Sequence, residues 1–186
     1  MEPATTTTQP AQQIENKDVL GPLIGRLAHA IESELSPGDV AELRRLEPGD
    51  PSAPAFWKVI AAHIEPKWKL PPTEPGRSTA ERQWAALLSA MARLQGMHDQ
   101  RQRLGHALAQ AQLSELRFDR LLRAHDEALL DQLRSTVHFV AAKGVAVNCR
   151  DLADLLLSDG TERAEKVRRR LARDYFTTIS KNTKEG

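Results

Sequence analysis

The sequence predicts an all-α protein, a compact to slightly elongated bundle of about seven to nine helices. Aromatic residues make up only 4% of its 186 residues, and the β-branched and aromatic runs typical of strands are few. Leu, Ala, Arg and Glu dominate the composition, and all four enter helices at little cost. No segment alternates apolar and polar residues for long enough to predict a strand.

Two helix starts are marked in the N-terminal half. In SPGD at 36–39, Ser36 can cap a helix whose first position is proline, where the missing N–H costs nothing. In STAE at 78–81, the spacing of Ser and Glu forms a capping box before an Ala- and Leu-rich run that ends at about Gln95. Each pattern predicts a helix that begins at its serine.

Further helices follow at short intervals in the C-terminal half. Gly144 closes the longest pattern, because glycine after a periodic run favours a helix end. Asn148 can cap CRDLADLLL, and DGTE at 159–162 can cap the final helix. The helical patterns before Gly144 are LGHALAQ, SELRFDRLLRA and HDEALLDQLRSTVHFVAAKG.

Composition predicts one domain with two short ends. We expect a disordered tail over 1–17, a single all-α domain over 18–181 and a flexible end over 182–186. Inside the domain, an acidic helical part extends to about residue 62, a loop with four prolines spans 63–78, and a basic helical part covers 79–181. Residues 1–74 carry eleven acids and seven bases, and residues 75–186 carry fourteen acids and nineteen bases. This asymmetry indicates an anionic partner.

The final helix carries the densest positive charge. At about 100° per residue, Ala164, Val167, Leu171 and Tyr175 fall on one stripe, which predicts its buried face. Arg168 lies near the edge of that stripe, where its stem can cover the core or its head can pair with a neighbour. The opposite side collects Arg163, Lys166, Arg169, Arg170 and Arg173.

Local acids neutralise only part of this charge. Glu162–Lys166 and Glu165–Arg169 are pairs in the favourable i,i+4 order. The other arginines of the face have no acid at such positions, and repeated arginine favours bidentate phosphate contact. We therefore interpret this face as a polyanion-binding surface, with plain solvation as the alternative.

A second series of arginines precedes the final helix. Arg117, Arg120 and Arg123 step by three along LRFDRLLRA, while the apolar residues of that segment point elsewhere. The series is extended by Arg134 in the next helix and by Arg101 and Arg103 in the polar link DQRQR. Together these residues predict a basic track that binds nucleic-acid backbone without reading bases.

Trp68 lies between Lys67 and Lys69 in the proline-rich loop. An aromatic ring between two cations is suited to stack on a base and contact its phosphates. The alternative is that Trp68 packs the loop onto the core.

Motifs for catalysis, metals and cofactors are missing from the sequence. It contains no phosphate-binding GxxxxGK[ST] loop, no GxGxxG and no GxSxG. Its six histidines lack metal-ligand spacing, and Cys149, its one cysteine, cannot complete a thiolate site. Asp126, Glu127 and Asp131 stand at a predicted helix start, where carboxylates are favoured by the helix dipole. We expect a non-enzymatic protein without metal or cofactor.

The N-terminal segment, the apolar stretches and the cysteine count indicate the cellular compartment. MEPATTTTQPAQQ has neither the cationic region nor the apolar core of a signal peptide, and no apolar stretch approaches the roughly 18 residues of a membrane span. A single cysteine fits a reducing compartment. We expect a cytoplasmic protein with no membrane partner.

The segments LGHALAQAQ, LRFDRLLRA, LLDQLR and RDYFTTISK, in this order, resemble the CasB family, the small subunit of the type I-E CRISPR Cascade surveillance complex. LRRLEPGDPSAPAFWKVI is similar to an early motif of the same family. The resemblance covers about residues 36 to 181. It implies an all-α, non-enzymatic subunit of an antiviral defence complex, present as two copies arranged head to tail.

The resemblance also implies partners. These are the CRISPR guide RNA, the target DNA with its displaced strand, the large and backbone subunits of Cascade, and a second copy of the chain. Members of the family stabilise the R-loop by contacting the guide–target hybrid and the displaced strand, without sequence specificity.

Basic positions of the family carry over to residues of this chain. They match Arg45, Arg77, Arg101 or Arg103, Arg117, Arg123 and Arg134, and more loosely Arg163 and Arg168. Relatives show a second arginine where this chain has Ser135, so a cation is lost there, and Arg120 is placed to compensate.

Two other functions are compatible with the residues alone. A helical adaptor would use the same arginines to dock an acidic protein. A small transcription regulator would need a helix pair that presents base-reading side chains, and no such recognition helix is evident.

Overall fold

The computed structural model describes residues 10–47 and 50–185, and over these residues it confirms the all-α prediction. Nine α-helices and one short π-helix are present in this part of the chain. A single parallel bridge between His98 and Val147 is its only β-type pairing. The α-helices are α1 (Pro10–Ser33), α2 (Pro37–Arg45), α3 (Pro54–Val59), α4 (Gly76–Arg93), α5 (Leu104–Gln110), α6 (Glu115–Arg123), α7 (Asp126–Ala142), α8 (Cys149–Leu157) and α9 (Glu162–Glu185); the π-helix, Ile60–Ile64, continues α3.

Helix α4 is the centre of the bundle. Every residue from Trp84 to Ala92 is buried, because α1, α2, α7 and α8 all pack against this helix. A helix that is covered all round needs apolar or small residues on every side, and the run WAALLSAMA meets that requirement. The core continues from α4 to the largest buried aromatic side chains elsewhere, Phe56, Phe118 and Tyr175.

Helices α5 and α9 approach each other most closely at Gly105. A Cβ atom on this residue would lie 2.6 Å from the carbonyl oxygen of Leu171 and 2.7 Å from Cβ of Asp174. Glycine is therefore required here by the contact with α9. This contact fixes the position of α9 against the rest of the bundle.

Several predicted helix ends are confirmed. Ser36 precedes α2 and its side chain accepts a hydrogen bond from the N–H of Asp39, with Pro37 at the first position. The Asn148 side chain accepts from the N–H of Arg150 at the start of α8. Gly144 follows the end of α7 with φ of 64°.

The predicted capping box at Ser78 is wrong. Helix α4 begins earlier, at Gly76, with Pro75 immediately before it. Glu81 binds Nε of Arg77 at 2.6 Å instead of capping the serine. The predicted cap of the final helix within DGTE is present at Thr161, whose hydroxyl accepts from the N–H of Ala164 at 3.4 Å. Asp159 of the same segment caps α7 instead, because its carboxylate accepts from the N–H of Asp126 at 2.8 Å.

The described ends and loop differ from the expected boundaries. Helical backbone begins at Pro10, inside the expected tail of 1–17, since proline suits a first helical position and AQQIEN contains good helix formers. The loop between Ile64 and Gly76 is shorter than the expected 63–78, and α9 extends to Glu185. Residues 1–9 of the expected tail and Gly186 lie outside the described residues.

Across the described ranges, no helix combines the length and the apolar character that crossing a bilayer requires.

Candidate nucleic-acid interface

A basic groove lies between the C-terminal ends of α2 and α4 and the outer side of α7. It is lined by Ala41, Arg44, Arg45, Glu47, Arg93, Arg134 and His138. Four guanidinium groups thus face one carboxylate. Such an excess of positive charge in a concave surface favours anions with several oxygen acceptors.

Two of these arginines also fasten the ends of the helices. Arg44 Nε donates to the carbonyl of Ala92 at 2.8 Å, and Arg93 donates to the carbonyl of Arg44. A cation beside the last carbonyls of a helix is favoured by the helix dipole. Arg44 and Arg93 therefore hold α2 and α4 together and place positive charge in the groove at the same time.

The Arg134 guanidinium binds both carboxylate oxygens of Glu47. Nη1 contacts Oε2, and Nη2 lies 3.3 Å from Oε1. The hydrogen bonds from Arg134 lower the pKa of Glu47, and the same bonds raise the pKa of Arg134. Arg45, by contrast, is exposed and has no ion-pair partner among the described residues.

Positive charge is crowded inside the groove. Burial lowers the pKa of Arg93, and repulsion from Arg134 and Arg44 lowers it further, although Glu47 opposes the shift. Burial together with Arg93 and Arg134 also lowers the pKa of His138, because these surroundings disfavour the charged imidazole. In addition, Nε of Arg93 is buried without a hydrogen-bond partner. An added anion would relieve this repulsion.

The arginines of α6 border the other side of α7. Arg117 lies over the Phe139 ring at 5.5 Å from its centroid, and Lys143 lies 5.8 Å from the same centroid. Arg120 is exposed without an ion-pair partner among the described residues, whereas Arg123 binds Asp119 at 2.7 Å. His138 lines the groove and Phe139 lies under these cations, and both residues belong to α7. Helix α7 alone therefore stands between the basic groove and these cations.

The amphipathic reading of α9 is confirmed, but most of its arginines are paired. Ala164, Val167, Leu171 and Tyr175 are buried, as the spacing predicted. Arg170 binds Asp151 at 2.6 Å, and Arg163 binds Asp154. These acids belong to α8, so an inspection of α9 alone could not reveal them.

Arg168 has to be corrected from a binding residue to a structural one. Its side chain is only 7% exposed and binds Asp159 at 2.8 Å. It also donates to the carbonyls of Leu122 at 3.0 Å and Ala124 at 2.8 Å. Glu165 binds Arg168 at 3.1 Å and not Arg169 as predicted, while the predicted pair Glu162–Lys166 is present at 2.9 Å.

Two further predicted residues are paired with acids. Arg77 binds Glu65 at 3.0 Å as well as Glu81. Arg103 lies 3.5 Å from the largely buried Asp174. The predicted arginines that are exposed and lack an ion-pair partner within the described ranges are Arg45, Arg101, Arg117, Arg120, Arg169 and Arg173.

Trp68 is partly buried, and its ring contacts the core. It packs against the hydrophobic core and meets Trp84 edge to face, with ring centroids 5.6 Å apart. Large apolar side chains are exposed elsewhere, at Trp57, Leu116 and Phe176. The alternative interpretation of Trp68 is the one that its contacts support.

Sequence reasoning missed four charged or titratable residues of the groove: Arg44, Glu47, Arg93 and His138. Arg44 had a signal, because it forms an Arg pair with Arg45. The other three had none, since their place depends on how distant segments pack. Among the described residues, no group of three His, Cys, Asp or Glu side chains is arranged to hold a metal ion.

Comparisons with known proteins agree with this architecture. A family model described as CRISPR-associated protein Cse2 matches residues 39–176. Among solved structures, CasB from Thermobifida fusca is similar with a TM-score of 0.60 and 22% identity, over 84% of this chain and 97% of that chain. A search of curated proteins found no match.

Proposed function

The chain belongs to the CRISPR-associated protein Cse2 family, and from this premise we propose that it is the non-catalytic small subunit of a type I-E Cascade surveillance complex. In this role it binds nucleic-acid backbone without sequence specificity and stabilises the R-loop. Its partners are the guide RNA, the target DNA with its displaced strand, the large and backbone subunits, and a second copy of itself. The single all-α domain and the cytoplasmic location expected from the sequence form part of the proposal.

The basic groove is the observation that carries this function. Four arginines and one acid line it, and guanidinium groups suit the oxygens of phosphate. The groove presents no element shaped to enter a base-pair groove, so it supports contact with the backbone rather than with base edges.

Helix α7 supports a path for a strand across this side of the molecule. Arg134 faces the groove, and Phe139 on the same helix lies beneath Arg117 and Lys143. A helix with its side chains is about 10 Å across, so a strand that crosses α7 meets cations on both sides. Exposed Arg169 and Arg173 on α9 offer a separate and less concentrated surface.

Modest binding energy is sufficient for such a subunit. Formation of an R-loop is nearly balanced in base-pairing energy, so contacts to the displaced strand can tip it. Within an assembled complex, neighbouring subunits hold these contacts at high effective concentration.

The test is fluorescence anisotropy with two labelled single-stranded oligonucleotides of unrelated sequence across a salt titration. We expect equal affinities that fall with salt. Four phosphate contacts give a log–log slope of about −3, and raising salt from about 50 to about 200 mM then lowers affinity about 60-fold.

Substitutions locate the surface. Combined Arg45→Gln and Arg134→Gln should weaken binding to both oligonucleotides and make the slope shallower by about one to two. Arg26→Gln is the control, because Arg26 is exposed on α1 outside the groove. Reversal of Arg117, Arg123 and Arg134 to Glu should weaken binding further. Strong preference for one sequence, or no binding at about 50 mM salt, would contradict the proposal; a stable complex with an acidic protein would then favour the adaptor.

A further inference from the structure

We propose that Glu47 is an internal substitute for phosphate: in the free protein its carboxylate occupies the position on Arg134 that a backbone phosphate takes in the bound state, and it is displaced when a strand binds. This inference rests on the proposed function, because it concerns the occupant of the same groove. It adds an intramolecular competitor that sets the affinity of the groove.

The first support is the charge balance of the groove. Glu47 is the one acid among the described residues that line it, opposite Arg44, Arg45, Arg93 and Arg134. Two of these arginines have fixed partners, since Arg44 and Arg93 bind backbone carbonyls at the ends of α4 and α2. Arg134 is therefore the guanidinium whose fork is free to exchange one anion for another.

The second support is the geometry of the pair. Both Nη atoms of Arg134 face the two carboxylate oxygens of Glu47. A guanidinium fork binds carboxylate and phosphate oxygens in the same bidentate way. A phosphodiester also carries one negative charge, so exchange of Glu47 for a phosphate keeps Arg134 neutralised.

The third support is the exposure of the two side chains. The Glu47 side chain is 67% exposed, whereas that of Arg134 is 33% exposed. The carboxylate thus lies on the solvent side of the pair and can swing outward without disturbing packing. Arg134, the less exposed partner, has less room to move than Glu47.

Crowding of the cations explains why the position is filled at all. With Glu47 removed, Arg93 and Arg134 would repel each other without compensation. Repulsion from Arg134 already lowers the pKa of Arg93, and both arginines lower the pKa of His138. The groove needs an anion in either state. Glu47 supplies it in the free protein, and the strand supplies it in the bound protein.

Three variants of the full chain separate this exchange from a simple change in charge. Glu47→Gln removes the competitor and one negative charge. Glu47→Asp keeps the charge but shortens the side chain, so that it no longer reaches the fork. Asp131→Asn is the matched control, because Asp131 is exposed on α7 and acts on Arg134 only through its charge.

The measurement is anisotropy with a labelled single-stranded oligothymidylate at constant low salt. An exposed ion pair is worth little, so release from competition predicts an affinity for Glu47→Gln about two- to fivefold above that of the unchanged protein. Glu47→Asp should also bind more tightly than the unchanged protein, and Asp131→Asn should gain clearly less than Glu47→Gln. Far-UV circular dichroism checks that each variant keeps its helical content.

Two results would overturn the inference while the proposed function stands. One is equal gains for Glu47→Gln and Asp131→Asn with no gain for Glu47→Asp, which would mean that net charge alone matters. The other is weaker binding by Glu47→Gln, which would give Glu47 a supporting role. Failure of the unchanged protein to bind any oligonucleotide would instead reject the proposed function itself.

Discussion

Arg168 and Asp159 form a buried ion pair, with the guanidinium of Arg168 2.8 Å from the carboxylate of Asp159 and both side chains less than 10% exposed. The same guanidinium donates to two carbonyls at the end of α6, and the same carboxylate caps α7. One ion pair thus joins α9 to the ends of two other helices. The densest arginine cluster of the sequence has a structural residue at its centre.

Replacement of Arg168 by Leu should strongly destabilise the fold. The change leaves Asp159 as a buried charge without its main partner, and breaking a buried pair in this way costs about 3–5 kcal/mol. Urea unfolding followed by circular dichroism measures the loss. Arg169→Leu is the matched control on the exposed face and should change the free energy of unfolding by less than about 0.5 kcal/mol. A loss below about 1 kcal/mol for Arg168→Leu would show that the pair is not a major contributor.

The contribution of Asp159 to stability should disappear in acid. Burial alone would raise the pKa of Asp159, but hydrogen bonds from Arg168 and from the N–H of Asp126 outweigh it, so the pKa lies below its ordinary value of 3.8. A carboxyl with a lowered pKa in the folded state stabilises fully above the unfolded value, and the benefit is lost as pH falls through the folded pKa. The difference in unfolding free energy between the unchanged protein and Asp159→Asn should therefore persist down to about pH 5 and should shrink below about 4. A difference that grows in acid would contradict this sign.

Gly105→Ala should weaken the contact between α5 and α9. The added Cβ would lie 2.6 Å from the Leu171 carbonyl oxygen and 3.1 Å from the backbone nitrogen of Tyr175. Forcing a methyl group into a packed contact costs about 1–3 kcal/mol. Gly38→Ala is the control, because its nearest neighbour would be a side-chain oxygen at 3.7 Å, and it should leave stability unchanged or raise it slightly. Equal melting temperatures for the two variants would contradict the close approach.

Trp68→Ala should lower stability without lowering affinity for oligonucleotides. Its ring packs edge to face on Trp84, and loss of a partly buried aromatic side chain in such a pair costs about 2 kcal/mol. Trp57→Ala should cost less, because Trp57 is 41% exposed. Thermal unfolding and anisotropy on the same preparations test both statements. Reduced affinity at unchanged stability would return Trp68 to the binding surface.

Cys149 should be unreactive in the folded protein. Burial raises the pKa of its thiol to about 12, and the thiolate is the reactive form. A thiol-specific disulfide reagent at about pH 8 should label the native chain only as it unfolds, and should label it rapidly in guanidinium chloride. Fast stoichiometric labelling of the native protein would show that the thiol is accessible.

The parts of the fold that local chemistry controls could be predicted from the sequence. Ser36, Asn148 and Gly144 act within a few residues of their own helix ends, so their types identify those ends. The periodicity of α9 correctly predicted Tyr175 and its companions as buried. The capping box predicted at Ser78 is wrong because α4 already begins at Gly76, after Pro75, and because Glu81 has a stronger partner in Arg77.

The candidate site could be predicted only in part, because its geometry depends on contacts between distant segments. Arg134 was predicted from the basic track and Arg45 from the family resemblance, but Arg93 joins them only through the packing of α4 against α2 and α7. On α9 the sequence predicted unpaired arginines that the structure shows to be paired. Only neighbours along the same helix can be read from its sequence, so Asp151 and Asp154 on α8 were not recognised as partners of Arg170 and Arg163.

The pairing of arginines on α8 and α9 has a consequence for how the protein meets its partners. Three of the five α9 arginines and Arg150 of α8 are matched by nearby carboxylates, and the whole chain carries a formal net charge of only +1. Beyond a Debye length of about 8 Å at physiological salt, the field of the basic groove is screened. We therefore expect little long-range steering of free nucleic acid, with encounters at the unsteered rate of about 10⁵–10⁶ M⁻¹s⁻¹. In the proposed function, the groove then acts mainly on a strand that the assembled complex has already brought to it.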